Sequence, residues 1–573
     1  MSPGILVNAE PAPPREVPPR LSEPGVTSWD GIVERWLDER LNLIALAVIA
    51  AAFAARVIVA ARSYLNPDEA LHYLIINQNS AFFAYKISLT NAHPPLIYLL
   101  VYYWRFLGRS ELMLRFPSVL AGTALCWFAY KWIGTVFGKA ASVIGLILIA
   151  FSPALIALSA ELRAYALLLF CETTALYLVE IAFKEKSVRK MWHFSVFLYL
   201  AILSHYSALF FVLAVGVYAL VRIIESEIPR KVIVAWAGGQ AVALAVYGFL
   251  YVTHISKLKH SMMTWAMMFD QIYSHSGRQH LFTFSRERTM DIFSFLFENQ
   301  HVAQALLVLW IAAASLLLFK AFISRRDALR ARHASILLLL PFLAVWGAGV
   351  AGFYPYVGSR HTVFLAPFLI AALSFLLASV EGQKIWAAVV IAALLVGASN
   401  TSGKVGETSI SKENQGRKLM VAAVNHIHQT IPPGGEILTD YESALMLVYY
   451  LCGPKLVLPV GTFNLPASRV KCNGYTIASF QTWNLEPAFF LSDFKKMVQA
   501  QRLKSGDKIW VFQSGWAVDL GRQLASTSLK FRCLTPKTFG ANISVTPFVV
   551  DQDLSPAATV TDCSQPILNP AIN

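Results

Sequence analysis

Charge is scarce in this chain. Of 573 residues only 14% are Asp, Glu, Lys or Arg, against 56% apolar, and the mean hydropathy is +0.52. A soluble domain normally carries about a quarter of its residues as charges, so a wholly soluble protein is excluded. Acids are scarcer than bases, 34 against 48. The surplus is not a nucleic-acid surface, because the basic residues fall in short clusters between apolar runs, as in cytoplasmic loops. The stretch from about 401 onward shows no Walker or Rossmann glycine loop, and the chain shows no internal repeat. A cleavable signal peptide would place its apolar stretch nearer the start. Cysteine is rare too, six in all: Cys126 and Cys171 fall in apolar runs, whereas Cys452, Cys472, Cys533 and Cys563 lie near the C-terminal end.

What the chain has is apolar runs of membrane-crossing length, which is about 20 residues. They cover 42–60, 115–133, 140–158, 164–183, 191–205, 206–224, 232–252, 301–320, 334–353, 361–380 and 384–400, eleven in all, with a turn at "SHY" (204–206) dividing 191–224. Before them come a Pro-rich tail and "SWDGIVERWLDERL", together residues 1–41, read as a cytoplasmic tail ending in an interfacial amphipathic helix. "HPPLIYLLVYYWRFLG" (93–108) reaches only about 24 Å as a helix, so it is expected to lie in the outer interface, with Pro94 and Pro95 in its first turn. Lys131, Lys139, "KEKSVRK" (184–190), "RIIESEIPRK" (222–231), "ISRRDALRAR" (323–332) and Lys384 then share the side of the N-terminus, as the positive-inside rule requires.

This topology gathers ionisable residues on the outer face: Asp68, Glu69, His93 and Arg115 around a first outer loop (61–114), Arg163 in "AELRAY", His205, a long outer loop (253–300), and Arg360 and His361 in "YVGSRH". Each has a plainer reading. "NPDE" is a good helix start, with Asn66 as N-cap, Pro67 at the first position and Glu69 in capping-box spacing. Arginines at span ends can snorkel to the interface, and a His before Pro-Pro is commonly a loop residue. Together, however, an acid pair and several cations at one membrane surface suit a substrate carrying both a hydroxyl and a phosphate. The long outer loop holds His254, His260, His275 and His280 at spacings that match no regular zinc motif. Its Met262, Met263, Met267 and Met268, with Trp265 and Phe269, suit a soft apolar surface for a lipid chain or packing on the bundle.

"NPDE" after the first span, then "HPPLIYLL", then "LRFPSVLAG" opening the second span resemble the pattern of the protein O-mannosyltransferases and of the lipid A aminoarabinose transferases, members of the GT-C class that use polyprenyl-phosphate sugars. The resemblance covers roughly residues 42–400. It implies an α-helical polytopic catalytic module in which Asp68 is the catalytic base, Glu69 lines the acceptor site and Arg115 is an essential cation. His93 falls where the aminoarabinose enzymes carry a phosphate-binding Lys. Donor phosphate would be held among His93, Arg115, Arg163, Arg360 and His361. The expected reaction moves a monosaccharide from a polyprenyl-phosphate donor to a hydroxyl of a glycolipid, glycan or protein acceptor, with inversion, as a single carboxylate base implies. Two acids without further oxygen ligands leave room for Mg²⁺ or Mn²⁺ but do not require it. The rival reading, a flippase or transporter of lipid-linked sugars, would place its site near the midplane between repeated halves.

From about 401 to 573 the composition turns mixed. "EILTDYESALMLVYYLCG" reads as strand, loop and helix, and "PAFFLSDFKKMVQAQRL" before "KIWVFQS" as helix then strand, so a soluble extracytoplasmic α/β domain is expected, serving acceptor recognition or as a lid. Its four cysteines allow three full pairings. The expected location is the inner (plasma) membrane, with site and domain on the periplasmic or extracellular side.

Overall fold

The structure is a computed structural model that describes residues 29–258, 271–273, 280–323, 328–380, 384–400, 416–453, 456–458, 467–480, 506–514 and 531–550. The tail before residue 29, the methionine cluster, His260, His275, Cys563 and the helix expected at 487–503 lie outside the described residues.

The amphipathic helix is α1 (Trp29–Glu39). It is followed by α2 (Leu41–Arg62), α3 (Pro67–Ile76), α4 (Ala81–Ser88), α5 (Leu96–Trp104), α6 (Glu111–Phe137), α7 (Lys139–Phe151), α8 (Pro153–Ser159), α9 (Tyr165–Lys184), α10 (Val188–Ser204), α11 (Ala208–Glu225) and α12 (Arg230–Leu250). α12 runs on through a π-helical turn, Tyr251–Ile255, to Leu258. Then come α13 (Leu281–Phe297), α14 (Gln300–Ile323), α15 (Ala328–Val350), a 3₁₀ turn Arg360–Leu365, α16 (Ala366–Val380) and α17 (Ile385–Asn400).

Among the described residues eight helices are long and apolar enough to cross a membrane, nine if α7 and α8, bent by 59° at their junction, form one span. The other two expected spans are α10 and α17, helices of 17 and 16 residues. At 1.5 Å per residue they reach only about 24–26 Å, so length and composition do not reproduce the count of eleven. The turn at 204–206 is real: His205 is extended between α10 and α11. α5 has nine residues, about 14 Å, too short to cross. Its prolines stand ahead of the helix rather than inside its first turn, because Pro95 is the N-cap and its carbonyl accepts from Leu99 N at 3.1 Å.

The break at Ser152–Pro153 leaves carbonyls at the end of α7 without intrahelical donors. Arg56, in the middle of α2 and fully buried, supplies them: its Nη1 donates to Ala150 O at 2.9 Å and Nη2 to Ile149 O at 3.4 Å. On α1, the Glu34 carboxylate accepts from Ile385 N at 2.8 Å and so caps α17.

The C-terminal domain contains α18 (Arg417–Thr430), α19 (Tyr441–Leu447) and seven strands: β1 (Glu436–Asp440), β2 (Ala467–Cys472), β3 (Tyr475–Phe480), β4 (Lys508–Ser514), β5 (Phe531–Cys533), β6 (Lys537–Thr538) and β7 (Ile543–Val550). The sheet order is β2-β3-β1-β4-β7-β5, with β6 beside β7. β3, β1 and β4 run parallel, while β2 and β7 flank them antiparallel. A disulfide joins Cys452 and Cys472. Among the described residues this domain has no separate core on its membrane side. Tyr73, Ile97, Tyr98 and Leu162 share one apolar cluster with Met420, Ile437, Leu445 and Val448. Leu65 N donates to Tyr450 Oη at 2.8 Å, and Arg417 Nε meets Glu111 Oε1 at 2.9 Å. The first outer loop and the C-terminal domain therefore pack as one unit above the bundle.

Candidate functional site

The site begins at the cap of α3. Asn66 is extended, its Oδ1 accepts from Glu69 N at 2.9 Å, and Glu69 Oε2 accepts from Asn66 N at 3.1 Å, a complete capping box with Pro67 at the first helical position. This cap fixes two adjacent acids in different directions.

Glu69 turns inward. Arg115, from the first turns of α6, meets it twice, Nε to Oε1 and Nη2 to Oε2, both at 2.6 Å, and neither side chain is exposed. The remaining Arg115 N–H groups donate to Ala60 O, Ser63 O and Tyr64 O, each at 2.8 Å. Glu69 Oε1 also accepts from Leu162 N at 2.8 Å. Arg115, expected to face the donor phosphate, thus has all five N–H groups committed inside the protein. Glu69, expected to line the acceptor site, is fully buried under the same contacts.

Asp68 turns the other way. Its Oδ2 lies 2.9 Å from Arg163 Nη1 and 2.5 Å from Arg360 Nη1, with the Asp68 side chain 26% exposed and that of Arg360 34%. Arg163 comes from the loop between α8 and α9. Arg360 opens the 3₁₀ turn that follows the loop 351–359, and Ser359 caps the turn by accepting from His361 N at 3.3 Å. That loop passes so close to α13 that a Cβ on Gly358 would fall 1.8 Å from Asp291 O, so only glycine fits there. Burial raises the Asp68 carboxyl, but Arg163 and Arg360, with His72, outweigh it and hold the group well below the usual carboxylate range.

Four imidazoles surround Arg163. Its Nη2 donates to His93 Nε2 at 3.1 Å and to Tyr165 Oη at 3.2 Å. The His93 ring lies 5.8 Å from His72 and 5.2 Å from His205, and His205 lies 6.2 Å from His361. Burial, then the Arg163 charge, pushes His72 down to about 3. Burial likewise holds His93 and His205 well below the usual histidine range, helped by Arg163 and neighbouring histidines. A second node supports the turn that carries His93. His254, in the π-helical turn, donates through Nε2 to Asn91 O at 2.7 Å, while its Nδ1 is hydrogen-bonded to the Tyr206 hydroxyl.

Of the residues singled out in the sequence, Asp68, His93, Arg163, Arg360 and His361 come together, whereas Glu69 and Arg115 form a closed pair behind them. His254 is part of the supporting node, and His280 sits at the start of α13. His72, His205, Tyr98 and Tyr165 complete the surroundings. His72 carried a readable signal, being one helical turn after Asp68.

Among the described residues no group of three or more His, Cys, Asp or Glu could hold a metal ion. The acid pair does not fit a divalent cation: each carboxylate is already met by guanidinium, and the two arginines on Asp68 would repel one.

The family model of the dolichyl-phosphate-mannose-protein mannosyltransferases matches residues 92–251, a stretch that holds His93, Arg115 and Arg163. No curated protein matches the chain in sequence. Among solved structures, ArnT from Cupriavidus metallidurans in the apo state superposes with a TM-score of 0.53 at 12% identity, covering 88% of this chain and 98% of that one. The same protein bound to undecaprenyl phosphate gives 0.51 at 13%, covering 88% and 97%. The oligosaccharyltransferase of Archaeoglobus fulgidus, tethered with an acceptor peptide, gives 0.46 at 13%, and the chain spans 63% of its length. The chain therefore has a polytopic GT-C glycosyltransferase fold with a C-terminal sheet domain, similar to ArnT over most of its length and to the mannosyltransferase family model across residues 92–251.

Proposed function

We propose that this protein is a membrane glycosyltransferase that moves a monosaccharide from a polyprenyl-phosphate donor to a hydroxyl of a glycolipid, glycan or protein acceptor on the outer side of the inner (plasma) membrane. One observation carries the reading: Asp68, rigidly capped, partly open and shared by Arg163 and Arg360 at one end of the bundle. The binding of undecaprenyl phosphate by the structurally similar ArnT supports the donor class. The Cys452–Cys472 disulfide suits an oxidising side of the membrane for the C-terminal domain.

The chemistry follows from competition between anions. A carboxylate held by two guanidinium groups is a poor base. A donor phosphodiester arriving beside Arg163, Arg360, His93 and His361 competes with Asp68 for the same N–H groups. Once those contacts move to the phosphate, Asp68 regains proton affinity. The acceptor oxygen then forms its bond to the anomeric carbon, the bond from that carbon to the phosphate oxygen breaks, and the acceptor proton passes to Asp68. Polyprenyl phosphate leaves with the additional negative charge, stabilised by the arginines. Displacement in one step inverts the anomeric centre. Glu69 and Arg115 act as positioning residues, holding α3 so that Asp68 keeps its direction.

The test uses membranes carrying wild type or Asp68→Asn and radiolabelled polyprenyl-phosphate sugars. Label should pass to an endogenous acceptor with wild type and fall about 10²- to 10⁴-fold in the variant. Undiminished transfer by Asp68→Asn would remove the base, and no transfer with any donor would remove the enzyme.

A further inference from the structure

Two ring nitrogens beside Asp68 are buried without any hydrogen-bond partner among the described residues: Nε2 of His72 and Nδ1 of His93. Their residues are 1% and 6% exposed, and a buried polar atom left unpaired is costly enough that its presence at a site calls for a ligand. The protonation of each is fixed by the opposite side of its ring. His72 Nδ1 lies 2.8 Å from the Asp68 carbonyl oxygen, which can only accept, so Nδ1 carries the hydrogen and Nε2 offers a lone pair. His93 Nε2 lies 3.1 Å from Arg163 Nη2, which can only donate, so Nε2 is the acceptor and Nδ1 carries the hydrogen. One orphan is therefore an acceptor and the other a donor.

Both rings are held firmly. His72 stacks on Tyr98 with centroids 4.8 Å apart, and His93 meets His205 and Tyr165 at 5.2 and 6.0 Å. A carboxylate or phosphate oxygen would satisfy His93 and face the His72 lone pair with another lone pair. An ammonium would do the reverse. A hydroxyl donates and accepts through one oxygen, so among these groups of the substrate it satisfies both, as a solvent water would.

We infer that His72 and His93 form a hydroxyl-reading subsite, in which one ring hydroxyl of the transferred sugar donates to His72 Nε2 and accepts from His93 Nδ1–H. The inference rests on the transferase reading and adds a specificity element to it. The pair sits between Asp68, which contacts His72 through its carbonyl, and Arg163, which contacts His93, so the hydroxyl read belongs to the sugar at the reacting phosphate. Neutral imidazoles suit this task, because charging either ring would remove the acceptor or set a cation beside Arg163.

The experiment uses the full-length protein in detergent with short-chain polyprenyl phosphate alone, with the same lipid carrying mannose, glucose or arabinose, and with versions of each sugar deoxygenated at one position. Thermal stabilisation reads binding, and transfer in membranes reads turnover. For wild type, removing one particular hydroxyl should lower kcat/KM about 10- to 100-fold and erase the extra stabilisation that the sugar gives over bare lipid phosphate. His72→Phe, which keeps the ring on Tyr98, should impose the same loss on the intact sugar and no further loss on that deoxy sugar. His72→Gln, which keeps an acceptor, should recover part of it. The subsite is overturned if no single deoxygenation matters in wild type, the outcome expected were a solvent molecule to fill the gap. It is also overturned if His72→Phe penalises every deoxy sugar as much as its parent. Stabilisation by sugar lipids without any transfer would instead count against the transferase reading and leave the hydroxyl comparison measurable by binding.

Discussion

Asp68 and Glu69 are chain neighbours with opposite surroundings. Around Glu69 the protein is closed: two charge-assisted bonds from Arg115, one backbone donor from each of two loops, and no exposed surface. Around Asp68 the partners are cations from two separate segments, a loop and a 3₁₀ turn, and the carboxylate is partly open. Adjacent acids need not share a role. A pair in which every N–H is used fixes geometry, whereas a carboxylate held by cations that can turn to another anion is suited to chemistry. The C-terminal domain supplies a third case, Asp440, which is buried and caps α19 through Glu442 N and Ser443 N with no arginine in contact among the described residues. Burial, only partly offset by those hydrogen bonds, pushes its carboxyl up to about 6.

The largest expected effect tests the closed pair. Arg115→Met leaves Glu69 charged and buried, which should cost about 3–5 kcal/mol, seen as a lower thermal midpoint and a lower yield of folded protein in detergent. If Arg115→Met melted like wild type yet transferred no sugar, the contrast between the two acids would break and Arg115 would return to the phosphate site.

The open pair should respond in activity instead. Arg163→Lys loses the shared contacts to Asp68, His93 and Tyr165 and should lower transfer about 100-fold. The more exposed Arg360→Lys should lower it about tenfold. Equal losses would mean that the two cations are interchangeable at the phosphate.

Acid sharpens the comparison. Because the Asp68 carboxyl is held low, its ion pairs contribute stability that is fully present above the ordinary carboxylate range and is lost progressively as pH falls from that range through its lower folded value. Lowering pH from 7 to 5 should leave it intact. His72 behaves oppositely in that window, since the unfolded chain takes up its proton near 6.5 and the folded ring does not until about 3. By pH 5 this should remove about 2 kcal/mol of stability, and His72→Phe should remove that slope. Asp440, raised to about 6, should return about 1 kcal/mol over the same interval, because its stabilising protonated form grows as pH falls; Asp440→Asn should flatten that part of the curve. Thermal midpoints between pH 7.5 and 5 measure all three.

The smallest effect belongs to His254. His254→Gln keeps a donor for Asn91 O and should lower kcat about twofold, and His254→Ala about tenfold, with little change in KM for the donor lipid.

The local chemistry of the site was legible in the sequence wherever one segment determines it. "NPDE" reads as a capped helix because Asn, Pro and Glu each occupy their favoured cap position, and that is what forms. "HPPLIYLL" reads as too short to cross, and α5 is. Pairing across distant segments was not legible: Glu69 and Arg115 are 46 positions apart, and nothing in either segment states that Arg115 will meet an acid rather than a phosphate. Arg56 was hidden for a related reason, since its partners are carbonyls released by a bend elsewhere in the bundle. The segment 93–108, which holds α5, reads as a helix lying in the outer interface. Much of the apolar surface of α3 and α5 instead shares one cluster with residues of the C-terminal domain, and composition does not distinguish a lipid neighbour from a protein one.

The shared cluster between the first outer loop and the C-terminal domain also sets an order of assembly. Residues 64–102 leave the ribosome more than 300 residues ahead of Met420 and Ile437, which later cover them. At about 5–20 residues per second this is a wait of roughly 15–70 s. During synthesis the half-built face of α3 and α5 has to be sheltered by the translocation machinery or a chaperone, and a nascent chain stalled before residue 416 should be cut by proteases within that loop.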